Sequence, residues 1–230
     1  MAGDTVIDVG ANLGAFTIPL SQFVGQSGRV LAFEAQDELM QLLTANLAMN
    51  EIRNVVAEKV IITNESGVLQ LPQADFSRPM NFGGFSVVDP DIVRASGSNS
   101  AKLDHVMKRT LDSFFGNSTV CPTFLKVDVE GMELNVLRGA TNLLSRCHPI
   151  LYLENNCKFT SRPVIEFVSS LDYDLYWDIH PYFNPANFLN NSADIFTEGW
   201  CIHPSRARHC HMTSPRLPHL TRRSMQPLFL

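Results

Sequence analysis

The stretch TVIDVGANLGAFT, residues 5 to 17, constrains this chain more than any other. An apolar, β-branched run meets a carboxylate, Asp8, then Gly10 and, four residues on, Gly14, before helical spacing begins at Ala15. A buried strand that ends this way hands the chain back across the sheet as a helix, because parallel strands cannot be joined by a tight hairpin. The pattern then repeats. RVLAFE (29–34) is a second buried strand ending in an acid, Glu34, and residues 37–50 carry Leu39, Leu43 and Leu47 on one helical face.

Further on, residues 55–63 and 68–71 read as strands around a turn at 64–67. Residues 123–129 (TFLKVDV) predict a strand with Asp128 at its end, 132–144 a helix, 149–153 a strand, 161–171 a helix, and 173–179 and 195–202 closing strands. Between Pro72 and Ser100, Gly, Pro, Asn and Ser break every period, which suits a long loop in contact with substrate. The alternation predicts an α/β fold: a doubly wound, mostly parallel sheet flanked by helices.

Composition narrows the functions open to such a fold. With 230 residues and 45% hydrophobic content, the chain can build one proper core. A net charge of −5 argues against nucleic acid as a partner. No run of about 18 apolar residues occurs, so no membrane span is expected. Asp4 and Asp8 break up any signal-peptide layout, and five scattered cysteines without a CxxC pair suit reduced thiols, so a cytoplasmic setting is expected. Residues 204–230 contain arginines, histidines and prolines but no acid, which predicts a basic tail without regular structure after a domain spanning 1–203.

In sheets of this kind, ligands sit outside the carboxyl ends of the strands. Asp8, Glu34, Asp128 and Glu154 each fall at or near such an end, so four carboxylates should meet at one rim. The turn GANLG places Asn12 where a pyrophosphate-binding GxGxxG needs glycine, and no GxxxxGK[ST] occurs. A carboxylate can accept hydrogen bonds from both ribose hydroxyls, and an acidic rim tolerates a cationic ligand. S-adenosylmethionine meets both conditions. A dehydrogenase on the same sheet is disfavoured by Asn12.

GDTVIDVGANLGAFT with VLAFEAQ resembles the entry motifs of FkbM-type S-adenosylmethionine-dependent methyltransferases. TLDSFF, FLKVDVEGMELNVLRGATNLL and PILYLEN resemble that family's second half, and together the segments cover residues 3–50 and 110–156. The resemblance implies a Rossmann-like class I methyltransferase fold and S-adenosylmethionine as cofactor. Asp8, Gly10, Ala11, Asn12 and Gly14 would line its methionine end and Glu34 its ribose, with Asp128 and Glu130 at the centre of the rim. It also implies methyl transfer to a hydroxyl on a sugar, glycan or small natural product, with Asp128 the first choice of general base and Glu154 the second. No metal is expected, a magnesium ion at the strand-end carboxylates being the alternative. Glu133 is expected to favour the helix N-terminus or to stay solvated. The rival reading is a catalytically silent protein that keeps the fold as a binding scaffold.

Overall fold

The computed structural model describes residues 2–72, 103–155, 158–181, 186–188, 191–193, 208–213 and 225–227. They fall into two compact units, Met1–Pro149 and Ile150–Leu230. The first unit runs β1 (Thr5–Val9), α1 (Thr17–Val24), β2 (Arg29–Glu34), α2 (Asp37–Met49), β3 (Val55–Lys59), β4 (Ile61–Ile62), β5 (Gly67–Pro72), β6 (Leu103–Arg109), α3 (Leu111–Phe115), β7 (Phe124–Val127), α4 (Glu133–Arg138) and α5 (Thr141–Cys147). Its main sheet has the order β7-β1-β2-β3 with every pair parallel, and β4, β6 and β5 form a small second sheet. The expected parallel sheet with flanking helices is therefore present.

Strand parity decides what each face does. Val6 lies beside Val30 and Phe124, and Asp8 beside Ala32 and Lys126, so the even-numbered positions of β1, β2 and β7 share one face. At the amino ends of the strands that face is apolar: Val6, Val24 and Val30 form a core with Leu20 and Val55. Nearer the carboxyl ends it holds Ala11, Ala32, Leu43 and Leu47, which seats α2 by the leucines spaced four apart. On the opposite face, the Phe114 ring of α3 meets Phe33 edge-on, 5.1 Å between centroids.

The TLDSFF motif has a structural task. Thr110 caps α3 by accepting from the Ser113 backbone N–H, and the Asp112 carboxylate accepts from the N–H groups of Asn142 (3.0 Å) and Leu143 (2.8 Å) in the first turn of α5. Asp112→Ala leaves those two donors to water, and we expect a loss of about 1 to 2 kcal/mol in urea unfolding with ligand affinity unchanged.

Two readings of the sequence need correcting here. The single helix expected over 132–144 is two, α4 and α5, separated at Gly139 and Ala140; Gly139 lets the chain pass the Thr63 backbone, since a Cβ there would lie 2.0 Å from the Thr63 carbonyl oxygen. Cys121 and Cys147 are joined in a disulfide, not left as reduced thiols, and this removes one of the two grounds on which a cytoplasmic setting was expected. The bond closes a loop of 26 residues, which constrains the unfolded chain by roughly 3 kcal/mol.

The second unit comprises β8 (Ile150–Glu154), α6 (Lys158–Ser169), β9 (Tyr176–Pro181), β10 (Arg208–Thr213) and β11 (Met225–Pro227). β10 pairs antiparallel with both β8 and β9, and β11 with β9. Residues 204–230, read from sequence as a tail without regular structure, thus contribute two strands. The strand expected at 195–202 and the loop read past Pro72 to Ser100 lie outside the described residues. Among the described residues, no helix is long and apolar enough to cross a membrane.

Candidate functional site

The first glycine turn hangs from β2. The N–H groups of Gly10 and Ala11 both donate to the Phe33 carbonyl at 3.0 Å, and the Asn12 N–H donates to Glu34 Oε2 at 2.8 Å. The other carboxylate oxygen, Glu34 Oε1, accepts from Ala35 N (2.8 Å) and Gln36 N (2.9 Å). Burial pushes the Glu34 carboxyl above its ordinary range, against the pull of those three backbone donors, and the nearby Asp8 carboxylate adds to the rise. The two halves of the expected motif, turn and ribose acid, therefore meet. A carboxylate has about four acceptor positions and three are filled here, which leaves Oε2 able to take a hydroxyl.

The turn is built for its residues. Gly10 has φ +78 and Gly14 φ +100, both left-handed, and a Cβ on Gly10 would lie 1.8 Å from the Asp128 carbonyl oxygen. Asn12 has φ 52, a conformation that asparagine tolerates, and its Oδ1 accepts from Leu13 N at 2.7 Å. The missing second glycine of a dinucleotide turn is thus a residue that locks this turn.

Asp8 sits beneath the turn with no exposed surface. Its Oδ2 accepts from the Thr17 hydroxyl at 2.7 Å and its Oδ1 from Lys126 Nζ at 3.0 Å. The sequence reading had Asp8 touching a ligand, but parity turns it toward α1 and into the protein. Lys126, which sequence reasoning missed, has a side chain 3% exposed. Its ammonium also donates to the Gly10 carbonyl at 3.2 Å, stands 3.6 Å from Asp128 Oδ2 and lies 5.1 Å from the centroid of the Phe16 ring.

The acid loop follows β7. Asp128 stays tied to β1 through its N–H, which donates to the Val9 carbonyl at 3.1 Å. Glu130 is left-handed at φ 51 and Gly131 at φ 100. A non-glycine residue held there stores strain that the surroundings must offset, as is common at functional positions. The surroundings include Glu133, whose Oε1 accepts from the N–H groups of Val129 (3.2 Å) and Gly131 (3.1 Å). Glu133 opens α4, as the helix N-terminal reading expected, but it is buried and not solvated; that burial raises its carboxyl, and its two backbone bonds shape the loop. Burial, with repulsion from Asp128 and Glu133, pushes the Glu130 carboxyl up to about 7.

Glu154 ends β8 in the second unit, where it is buried with its backbone in register with His211 of β10. A separate groove of about 1250 Å³ opens at the amino ends of β1 and β2, lined by Thr5, Gln22, Arg29, Arg53 and Phe114 among others. It lies at the wrong end of the strands for the turn and acids just described.

The chain that builds this rim matches the family model of the methyltransferase FkbM domain over residues 8–175. The chain belongs to the FkbM methyltransferase family. It is 29% identical over 159 residues to methyltransferase sdnD of Sordaria araneosa, a match covering 58% of this chain and 59% of that protein. Its fold resembles the crystal structure of an FkbM methyltransferase from Methylobacillus flagellatus (TM-score 0.54, 16% identity, 93% of this chain and 44% of that one). It also resembles fibrillarin from Aeropyrum pernix, solved with natively bound S-adenosylmethionine (TM-score 0.50, 12% identity, 93% of this chain and 66% of that one). The chain therefore spans less than two thirds of the length of sdnD and of the Methylobacillus protein.

Proposed function

We propose that this FkbM family member transfers the methyl group of S-adenosylmethionine to a hydroxyl on a sugar, glycan or small natural product. The convergence of the Gly10–Gly14 turn, Glu34 and the acid loop at the carboxyl ends of adjacent strands carries this reading. The residues fit the cofactor chemically. Three buried acids, Asp8, Glu34 and Glu133, outnumber the one buried cation among the described residues, Lys126, and the half-buried Asp128 and Glu130 stand beside them, so the rim suits a cationic ligand. The cofactor supplies an electrophilic methyl group on a sulfonium; everything else falls to the protein.

Glu34 Oε2 takes a ribose hydroxyl, and the turn from Gly10 through Ala11 and Asn12 to Gly14 holds the methionine end. Asp8 acts from below as a support of that turn. Asp128, the first choice of base from sequence, faces the Lys126 ammonium, and we assign it to holding the cofactor's cationic end. Glu130 becomes the proton acceptor, because a group near 7 is best matched to taking a hydroxyl proton at neutral pH. Glu154, the second choice of base from sequence, belongs to the second unit.

Thermal melting with S-adenosylmethionine and its demethylated product, S-adenosylhomocysteine, tests the cofactor reading. We expect stabilisation of about 2 to 3 kcal/mol at one hundred times the dissociation constant, lost in Glu34→Ala. No shift at millimolar ligand, or a shift with NAD instead, refutes it in favour of a scaffold or a dehydrogenase.

The Glu130 assignment makes a prediction about pH. Between 4.5 and about 7 the folded protein keeps a proton that the unfolded chain releases. The stability Glu130 contributes is therefore whole below 4.5 and is lost as pH rises through 7. A bound sulfonium favours the ionised form, so affinity for S-adenosylmethionine relative to S-adenosylhomocysteine should grow from pH 6 to pH 8 and be flat in Glu130→Gln. Calorimetry at several pH values reads both. The same variant should lower kcat by about 100-fold or more once an acceptor is in hand.

A further inference from the structure

We infer that Lys126 is the positioning residue of this site: its buried ammonium fixes the Gly10 turn against the Asp128 loop. The inference rests on the cofactor reading above. Two stretches more than 100 residues apart in the chain meet at the one nitrogen: from the first, Asp8 of β1 at 3.0 Å and the Gly10 carbonyl of the turn at 3.2 Å, and from the second, Lys126 itself with Asp128 of the acid loop at 3.6 Å. Phe16 lies against the same ammonium.

Stability alone does not explain such an arrangement. Apolar residues of similar volume commonly replace a buried ion pair at no loss, since desolvating two charges cancels much of their attraction. What a hydrophobic pair cannot do is direct N–H groups at acceptors on separate segments. A lysine has three such donors and no acceptor. Lys126 donates to Asp8 and to the Gly10 carbonyl and pairs by charge with Asp128, so it acts on the two elements that must stand at a fixed separation for one ligand to touch both. Its partner Asp8 accounts for only one of the three directions.

The paired variant Lys126→Met with Asp8→Asn removes both charges together and should fold with nearly the melting temperature of the wild type. A residue that only stabilises the fold would then leave ligand binding intact. As a positioning residue, Lys126 predicts that the paired variant binds S-adenosylhomocysteine about tenfold more weakly or worse, and that Asp128→Asn weakens binding by a smaller factor in the paired variant than in the wild type. Wild-type affinity in the paired variant, or strictly multiplicative losses, overturns the inference and leaves the cofactor reading standing. A wild-type protein that binds neither ligand overturns both. Should the paired variant fail to fold, the Lys126 ¹⁵Nζ resonance is followed in Asp128→Asn: a shift supports the contact, and an unmoved signal refutes it.

Discussion

Gly10→Ala is expected to abolish ligand binding and to lower the unfolding free energy by about 3 kcal/mol or more. Two costs add. A left-handed φ of +78 costs an alanine about 1 to 2 kcal/mol by itself, and its Cβ would sit 1.8 Å from the carbonyl oxygen of Asp128, where both partners are backbone and neither can rotate away. The separation must open, which pulls the acid loop off β1. Gly3→Ala provides the comparison, since Gly3 also has a positive φ, +89, but the added Cβ would meet only the Ser27 hydroxyl oxygen, at an ordinary 3.7 Å. Thermal melts of the two variants should differ by about 4 °C or more in a chain of this length, and near-equal melts would show that the contact is easily relieved.

Asp8→Ala is the second large effect. It leaves the Lys126 ammonium in a nearly dry site with its nearest acceptor gone, and it strips the Thr17 hydroxyl of its partner. Breaking a buried pair from one side costs about 3 to 5 kcal/mol. Urea unfolding should register that loss almost equally at low and at high salt, because buried charges are little screened. A loss under about 1 kcal/mol, or one that fades in salt, would mean that water reaches the pair.

Much of the first unit was legible because its signals are local. The apolar runs of β1, β2 and β7 and the spaced leucines of α2 each lie within one segment, and the matching acids and glycines sit at the ends of those segments. β6 and α3 escaped because β6, LDHVMKR, pairs with β5 in a small sheet whose outward residues are polar or exposed, and α3 is five residues long. Lys126 escaped for a different reason. A lysine in an apolar run is ordinarily read as reaching solvent, and only the parallel register beside Asp8, 118 residues away in the chain, shows why it stays inside. The Cys121–Cys147 bond is likewise a fact of folding and not of spacing, as is the approach of Gly139 to Thr63. The Arg208–Thr213 strand has no periodic pattern at all, and it is recognisable only through its pairing.

The three successive amides of the Gly10, Ala11 and Asn12 turn are satisfied within the protein, by the Phe33 carbonyl and the Glu34 carboxylate of β2. The conformational entropy of shaping that cradle is thus spent during folding, not at encounter. Association should accordingly be fast and show little heat-capacity change beyond that of the surface it covers, as for a socket cut before its plug arrives.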